Sequence, residues 1–375
     1  MPEAILAEPL ERVQATRPCP ISGTTEACVV STRARDGSPL RNVVNCASGL
    51  VYVDPVPIED LSAFYARDYR AEYKASAEPS PRRVLRAGHA SLARFRRLWP
   101  HVERVHGKPS AELKCLDVGA SSGEFGYLLA SLGCTVTGCE PNEAFGRFAR
   151  ERLGVNVVTG MLADVKLDPG GYDLITLFHV VEHMDDPVGS LAMFRGMLRK
   201  RGVLVIEVPN ILSANMGFAH KWHKGHLFGY SRETLATLAE RGGFEVLELG
   251  STGDDHNVWI VCRARGSGAR SPHEPQSARA NAEHFQSAVR ALRANAGGRY
   301  WTRGRTWFAA VARLVRTISE LRALAVRDPK VLLRGVYGET IGALGAVGGA
   351  AGGAGGGAGG GAGASASAQP PTIRP

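Results

Sequence analysis

The sequence lacks several features that would each indicate a broad class of protein. It has no run of about 18 apolar residues, so no segment has the length of a transmembrane helix. The first residues, MPEAILAEPLERV, carry acidic side chains and no apolar stretch, unlike a secretory signal peptide. Aromatic residues make up only 7% of the chain, which does not suggest an aromatic binding platform. We therefore expect a cytoplasmic protein.

Cysteine is also sparse, and its number fits that compartment. The chain has seven cysteines among 375 residues, an odd number in a long sequence without an export signal. Disulfide frameworks belong mainly to small secreted domains in oxidising compartments. The cysteines are therefore expected to be reduced.

The charge is distributed unevenly along the chain. The net charge is +9, and fifteen basic against five acidic residues lie between positions 263 and 340. Within that segment, the stretch 299–327 places apolar residues on one helical face and arginines on the others. Such a basic amphipathic helix packs against its own protein or a second copy, or lies on an anionic membrane surface. We favour packing, keep peripheral membrane contact as the alternative, and expect no nucleic-acid partner, since no RNA-binding module is recognisable.

Composition and periodicity divide the chain into five regions. We predict a flexible lead, a small β-rich cap with a tyrosine-rich helix, a domain of alternating strands and helices, a basic helical extension, and a disordered Gly/Ala/Ser tail. These regions are 1–17, 18–83, 84–265, 266–345 and 346–375.

The third region predicts the fold. LKCLDVGA, CTVTGCEP, YDLITLFHV and VLVIEVPN are apolar runs typical of buried strands, and EFGYLLASLG and DPVGSLAMFRGMLRKRG between them are helical. Regular strand–helix alternation produces parallel sheets through βαβ crossovers. We predict an α/β fold with a doubly wound, mostly parallel, seven-stranded Rossmann-like sheet, the small N-terminal cap and the C-terminal helical extension.

A glycine-rich turn follows the first strand of that sheet. Gly119 allows close backbone approach, Gly123 begins the next helix, and Glu140 ends the second strand, where a carboxylate can accept both ribose hydroxyls of a nucleoside. Ser121 stands where a dinucleotide fingerprint has its second glycine, which argues against a pyrophosphate and an NAD-linked oxidoreductase. Asp117, just before the turn, favours a cationic ligand.

These motifs resemble those of class I S-adenosylmethionine (SAM) methyltransferases. LDVGASSGEFGYLLASLGCTVTGCEPN is similar to the first two motifs of the family, YDLITLFHVVEHMDDP to the fourth-strand motif, and LRKRGVLVIEVPN to the one that follows. They occur in the family's order and spacing across residues 110–265. The resemblance implies SAM as the cofactor.

The resemblance also implies a set of cofactor-binding residues. They are Asp117, Gly119, Ser121, Gly123, Glu140, Met161, Leu162 and Phe178. In that family the glycine-rich turn wraps the methionine part of SAM, and the acidic residue after the second strand takes the ribose. Met161 and Leu162 would flank the adenine, with Asp164 near its amino group. Phe178 and His179 would lie beside the transferring methyl.

The cap resembles a zinc ribbon that has lost most of its ligands. One bacterial methyltransferase branch carries C-x-x-C…C-x-x-C-G-L-V-Y ahead of a tyrosine-rich segment. Here Cys19 is kept, but Ser22, Asn45 and Ser48 stand at the other thiolate positions, and Cys46 is one position out of register. Structural zinc needs four thiolate or imidazole ligands. We therefore expect a ribbon-shaped β unit without metal.

The tyrosine-rich segment FYARDYRAEY follows the cap. Tyr65, Tyr69 and Tyr73 would either reach the cofactor or substrate or form the packed face of an amphipathic helix. Both interpretations stay open.

The stretch HVVEHMDDP has three interpretations. Two methyltransferase groups, the ubiquinone-type O-methyltransferases and the small-RNA 3′-end methyltransferases, place Glu-x-x-Glu-His here and bind a divalent metal. In this chain His179, Glu182 and His183, with His226, could hold a metal through nitrogen ligands, or His179 could act as a base, or the histidines could be structural. We favour His179 as base, keep His183 and His226 as further catalytic candidates, and expect no metal.

The sequence thus predicts a SAM-dependent methyltransferase. We expect transfer to a hydroxyl of a small molecule or glycan intermediate. The alternatives are C- or N-methylation of a similar substrate, or a SAM-binding scaffold without turnover. Neither the acceptor nor the oligomeric state follows from the sequence.

Overall fold

The structure is a computed structural model, and it describes most of the chain in separate ranges. The described residues are 5, 9–60, 63–64, 78–107, 112–265, 278–296, 320 and 323–351. Their strands, in chain order, are β1 (Arg12–Gln14), β2 (Glu26–Arg33), β3 (Pro39–Asn45), β4 (Val51–Val53), β5 (Lys114–Val118), β6 (Thr135–Glu140), β7 (Val157–Thr159), β8 (Tyr172–Phe178), β9 (Leu198–Pro209), β10 (Phe228–Gly229), β11 (Phe244–Ser251) and β12 (Asn257–Ala264). Their α-helices are α1 (Pro81–His106), α2 (Glu124–Ser131), α3 (Glu143–Phe148), α4 (Pro187–Met197), α5 (Arg232–Arg241), α6 (Ala278–Ala296) and α7 (Pro329–Ala351).

The strands form two sheets. The larger has seven strands in the order β11-β12-β9-β8-β5-β6-β7, and it is parallel from β9 to β7. Strand β12 runs antiparallel to both of its neighbours. The smaller sheet, β1-β2-β3-β4-β10, is antiparallel and lies at the N-terminal end of the chain except for β10. The predicted α/β fold with a mostly parallel seven-stranded sheet is confirmed.

Strand β9 shows why this sheet lies between two apolar layers. Its residues Val203 to Val208 are all buried, and successive side chains point to opposite faces. Leu204 and Ile206 belong to the core shared with α4, α5 and the small sheet. Val203 and Val205 belong to the core shared with α1, α2 and α7.

Helix α1 begins and ends at residues suited to those positions. Ser80 accepts a hydrogen bond from the Arg83 amide, Pro81 follows it, and Gly107 ends the helix with a left-handed φ of 58°. Helix α7 packs against α1, where a Cβ on Gly88 would lie 2.6 Å from Leu333 Cδ2. A side chain at Gly88 would therefore force Leu333 to shift.

Three boundaries differ from the sequence expectations. The predicted flexible lead includes β1, which pairs with β2 along Arg12–Gln14, so that prediction is wrong for these residues. The helix predicted to extend to position 202 ends at Met197, because Leu198 is buried and pairs with Tyr172 as the start of β9. The tail predicted to be disordered from 346 instead continues α7 to Ala351. Helical hydrogen bonds close locally, so the alanines of this segment, which favour a helix, continue it past Gly348 and Gly349, which do not.

Some expectations fall on residues outside the described ranges. They are Tyr65, Tyr69 and Tyr73, most of the stretch 299–327, and residues 352–375. The tyrosine alternatives, membrane contact and disorder of the last residues therefore stay predictions. Among the described residues, no helix combines the length and apolar character needed to cross a membrane.

The four ribbon positions of the cap meet in space and are joined by hydrogen bonds. Ser22 Oγ and Ser48 Oγ donate to Asn45 Oδ1 at 2.9 and 3.0 Å. Cys19 Sγ lies 3.2 Å from Ser48 Oγ. Cys46 instead contacts Cys28, with 3.7 Å between their sulfur atoms. Hydrogen bonds thus join the positions that thiolates and zinc would occupy in a ribbon, and the likeness to that branch stays a prediction.

Candidate active site

The glycine-rich turn connects β5 to α2 in a left-handed backbone. Gly119, Ser121 and Gly123 have φ values of 73°, 53° and 86°. The Gly119 and Ala120 amides donate to the Cys139 carbonyl at 2.8 and 3.0 Å, which ties the turn to the end of β6. A Cβ on Gly119 would lie 2.6 Å from Val180 Cγ2, so this position has no room for a side chain. Val180 therefore packs closely against the turn at this position.

Glu140 is held at the end of β6 by backbone donors. Its side chain is buried, and its two carboxylate oxygens accept from the Ser121 amide at 2.9 Å and the Asn142 amide at 3.1 Å. These backbone amides thus fix the carboxylate at the carboxyl end of β6, where the resemblance implies the ribose of the cofactor.

Asp117 is a buried carboxylate in β5. Thr176 Oγ1 donates to Asp117 Oδ1 at 2.7 Å. Burial raises the Asp117 pKa to about 6, and the Thr176 hydrogen bond and the Arg94 charge oppose the rise. A cationic ligand nearby would offset the cost of this buried negative charge.

The remaining predicted cofactor residues follow the ends of β7 and β8. Met161 and Leu162 are partly buried where a 3-10 turn begins, and Asp164 in the same turn is exposed. Phe178 ends β8, with its ring edge-to-face against Phe125 at 4.8 Å between centroids. The carboxyl ends of parallel strands share one edge of a sheet, which is where ligands bind in open α/β folds. The structure therefore brings the predicted cofactor residues to the same edge.

His179 lies between two buried carboxylates. It has a φ of 58°, and its amide donates to the Glu207 carbonyl at 2.8 Å. Its Nδ1 lies 3.5 Å from Glu182 Oε1, and its Nε2 lies 3.7 Å from Glu207 Oε1. Among the described non-glycine residues, positive φ occurs at Ser121, His179 and Asp255, so two of the three lie in this site. Backbone strain concentrates at functional sites.

Glu207 connects His179 to two arginines of α1. Arg94 Nε donates to Glu207 Oε1 at 2.8 Å, and Arg97 forms an ion pair with Oε2. The Arg94 guanidinium also lies over the Phe178 ring, 4.6 Å from its centroid. The carboxylate beside the imidazole thus contacts two guanidinium groups.

A second group of histidines surrounds Glu182. His183 Nδ1 donates to the Gly225 carbonyl at 2.6 Å, and the His183 ring contacts that of His226 at 4.9 Å between centroids. Burial, followed by the neighbouring histidines, lowers the His226 pKa well below its ordinary value, so this imidazole is neutral. Neither oxygen of the buried Glu182 carboxylate has a hydrogen-bond donor in the described part of the chain.

This second group has the ligand types of a metal site. Glu182, His183 and His226 place one ligand atom each within 4.8 Å of one another, and His179 lies outside that set. Among the four residues named from the sequence as possible ligands, three are therefore close together. The expectation of no bound metal stays a prediction.

The family model for the methyltransferase domain matches residues 91–249. Those residues form a class I SAM-dependent methyltransferase domain. The match covers the glycine-rich turn, Glu140 and His179, whose geometry is described above.

Proteins of similar sequence are named as methyltransferases. A protein of Mycolicibacterium smegmatis, called "Probable S-adenosylmethionine-dependent methyltransferase", is 28% identical over 132 residues, which are 35% of this chain and 51% of that protein. A "Ubiquinone biosynthesis O-methyltransferase" of Paramagnetospirillum magneticum is 32% identical over 154 residues, covering 36% of this chain and 61% of the relative. The chain thus spans about half to three-fifths of these relatives.

A solved structure of a SAM-dependent methyltransferase from Aquifex aeolicus is 16% identical, with a TM-score of 0.37. The aligned region covers 44% of this chain and 87% of the chain in that structure. This likeness is too low to bear on function.

The methyltransferase domain contains one network that the sequence analysis missed. Arg94, Arg97 and Glu207 hold one side of His179, and none was named as a site residue. Glu207 gave a usable signal, since it is the one charged residue within the apolar run VLVIEVPN. The sequence around the two arginines gave no such signal. The individual roles assigned to the predicted cofactor and catalytic residues stay predictions.

Proposed function

We propose that this chain transfers the methyl group of SAM to a hydroxyl of a small molecule or glycan intermediate, with His179 as the base. The observation that carries the proposal is the placement of His179 between two buried carboxylates, next along the chain from the predicted cofactor residue Phe178. Oxygen is favoured as the acceptor atom because three relatives are named as ubiquinone biosynthesis O-methyltransferases.

The domain's own residues fit the cofactor. When bound, SAM supplies an electrophilic methyl group on a positively charged sulfur. Gly119, Ser121 and Gly123 shape the turn with left-handed φ values at the carboxyl edge of the sheet. Glu140, held by backbone amides, accepts hydrogen bonds from the ribose hydroxyls, and Asp117 supplies a buried carboxylate at the same edge of the sheet.

His179 receives the proton that the acceptor hydroxyl loses on methylation. A neutral imidazole has one ring nitrogen that acts as an acceptor, and this nitrogen can take the proton. The imidazolium that results lies near both Glu182 and Glu207, and their negative charges stabilise it. General base catalysis of this kind contributes about 10²- to 10⁴-fold in rate. Alignment of the reacting groups supplies much of the remaining acceleration.

Cofactor binding is tested first, by calorimetric titration with S-adenosylhomocysteine before and after treatment with a chelator. We expect binding that survives the chelator. Binding lost with the chelator would show that a metal supports the site, for which Glu182, His183 and His226 are the candidate ligands. No binding under either condition would contradict the methyltransferase proposal.

The role of His179 is tested by His179→Gln, with His89→Gln on the exposed face of α1 as control. Methyl transfer from labelled SAM is measured over a panel of hydroxyl, amine and carbon acceptors, and the methylated atom is read from product fragmentation. We expect O-methyl products, a kcat about 10²-fold lower in His179→Gln, and unchanged S-adenosylhomocysteine affinity. An unchanged kcat would refute the base, and N- or C-methyl products would refute oxygen as acceptor.

A further inference from the structure

A cavity of about 170 Å³ lies between the small sheet and the segment that follows β9. Three aromatic side chains line it: Tyr52 of β4, its strand partner Phe228 of β10, and Trp222. A cavity of about 150 Å³ accommodates a benzene ring. The space is therefore large enough for one ring-sized group.

The charged residues of this cavity are all basic. Arg35 and Lys221 line it together with three histidines, and no aspartate or glutamate is among its lining residues, all of which the structure describes. Arg35 is largely exposed, whereas Lys221 is 5% exposed. The cavity thus has a cationic character that would attract a negative group.

Lys221 is a buried amine without an ion-pair partner among the described residues. Its Nζ donates to the Ser213 carbonyl at 2.8 Å, and within the described ranges no carboxylate forms an ion pair with it. Burial lowers the Lys221 pKa to about 7, and the charge of Asp255 opposes this only partly. A buried ammonium is normally paired. A ligand carboxylate would supply the missing partner.

Trp222 gives an independent indication of the same chemistry. Its indole is 3% exposed, and Nε1 has no hydrogen-bond acceptor among the described residues. Buried donors are nearly always hydrogen-bonded, so one without an acceptor calls for an explanation. An acceptor group on a ligand would satisfy it.

The cavity borders the candidate active site. His226 lines the cavity, and its ring contacts that of His183. His183 in turn lies beside Glu182, which faces His179. An acceptor that extends from His179 past these side chains would place its remote end in the cavity.

We propose that the cavity binds the carboxylate-bearing, apolar end of the methyl acceptor, with Lys221 and Arg35 supplying the positive charge and Trp222 a further hydrogen bond. A carboxylate on a ring fits better than a phosphate because aromatic side chains form so much of the wall. The identity of this ligand as the acceptor rests on the proposed function, whereas the anion site itself does not.

The test uses benzoate as the probe and the full chain saturated with S-adenosylhomocysteine. Binding is measured by calorimetry and ligand-observed NMR, with benzamide as the uncharged analogue and inorganic phosphate as the competing anion. We expect benzoate to bind at least tenfold more tightly than either. Equal binding of benzamide would refute recognition of charge, and tighter binding of phosphate would refute the carboxylate.

Two variants and one matched control assign the site. Lys221→Met and Arg35→Gln should each weaken benzoate at least tenfold without changing S-adenosylhomocysteine binding. Lys224→Met removes the same charge from a lysine that pairs with Asp36 at 3.2 Å and does not line the cavity, so it should change neither. Folding of each variant is judged by S-adenosylhomocysteine binding. If Lys221→Met does not fold, the benzoate affinity of Arg35→Gln alone tests the proposal. Unchanged benzoate affinity in the folded variants would overturn the proposal.

Failure of this inference is distinguishable from failure of the proposed function. S-adenosylhomocysteine binding without benzoate binding would remove the anion site and leave the methyltransferase proposal standing. Benzoate binding without S-adenosylhomocysteine binding or methyl transfer would leave an anion site on a protein that is not a methyltransferase.

Discussion

Gly119→Ala tests whether the glycine-rich turn is required by space as well as by backbone conformation. At a φ of 73°, an alanine pays a left-handed penalty of about 1–2 kcal/mol. Its Cβ would also lie 2.6 Å from Val180 Cγ2, and overpacking of this kind costs about 1–3 kcal/mol. The variant should therefore lose about 2–5 kcal/mol of unfolding free energy.

Gly23→Ala separates the two contributions. Gly23 has a similar φ of 76°, and a Cβ there would have nothing within 4 Å. In Gly23→Ala the free energy of unfolding should therefore fall only by the backbone penalty of about 1–2 kcal/mol. Adding Val180→Ala to Gly119→Ala should recover the steric part, visible as a favourable coupling of about 1–3 kcal/mol in a double-mutant cycle.

Urea unfolding and calorimetric titration with S-adenosylhomocysteine measure these effects. Because Val180 directly follows His179, its displacement should also weaken S-adenosylhomocysteine binding at least tenfold in Gly119→Ala. Gly23→Ala should bind normally. Equal losses of stability in the two variants, together with normal binding in both, would refute the steric reasoning.

Three further outcomes follow from the structure. A four-thiolate zinc site should form in the cap when Ser22→Cys, Asn45→Cys and Ser48→Cys are combined with the native Cys19. Zinc binding is measured by competition with a chromogenic chelator, and a variant that binds no more zinc than the wild type would contradict the ribbon likeness. Burial lowers the Lys221 pKa from its ordinary 10.5 to about 7, so the unfolded chain binds more protons than the folded chain between these values. The free energy of unfolding of the wild type should therefore rise relative to that of Lys221→Met by about 1.4 kcal/mol per pH unit between pH 7 and 10. Free energies of unfolding in urea that change in parallel with pH in the two proteins would refute this. Glu207→Gln should lower kcat at least tenfold with little change in S-adenosylhomocysteine affinity, and an unaltered kcat would show that this carboxylate does not support His179.

The sequence predicted the larger sheet well because its strands have a strong local signal. Runs such as VLVIEVPN are buried on both faces and need no knowledge of their neighbours to be recognised. The glycine-rich turn was also visible, since positive φ at Gly119 and Gly123 is a local requirement. Boundaries were harder, because Leu198 starts a strand only through its pairing with Tyr172.

Long-range pairing explains what the sequence could not show. Arg94 and Glu207 are 113 positions apart, and no pattern in an amphipathic helix distinguishes this arginine from a solvated one. Lys221 lies in HKWHKGHL, where a lysine is most often exposed. Its burial depends on tertiary contacts, which a local pattern does not report.

These tertiary contacts come from outside the matched domain on both sides. Tyr52 pairs with Phe228 across β4 and β10, so the small sheet builds one wall of the cavity. From the C-terminal extension, Asn295 of α6 donates to the Ser213 carbonyl at 3.1 Å, the same oxygen that accepts from Lys221. The residues that fit the cofactor lie within 91–249, whereas the proposed anion site also takes lining residues from the cap, and the extension shares a hydrogen-bond acceptor with Lys221. Proteins that share only the domain should therefore share the cofactor and differ in the acceptor.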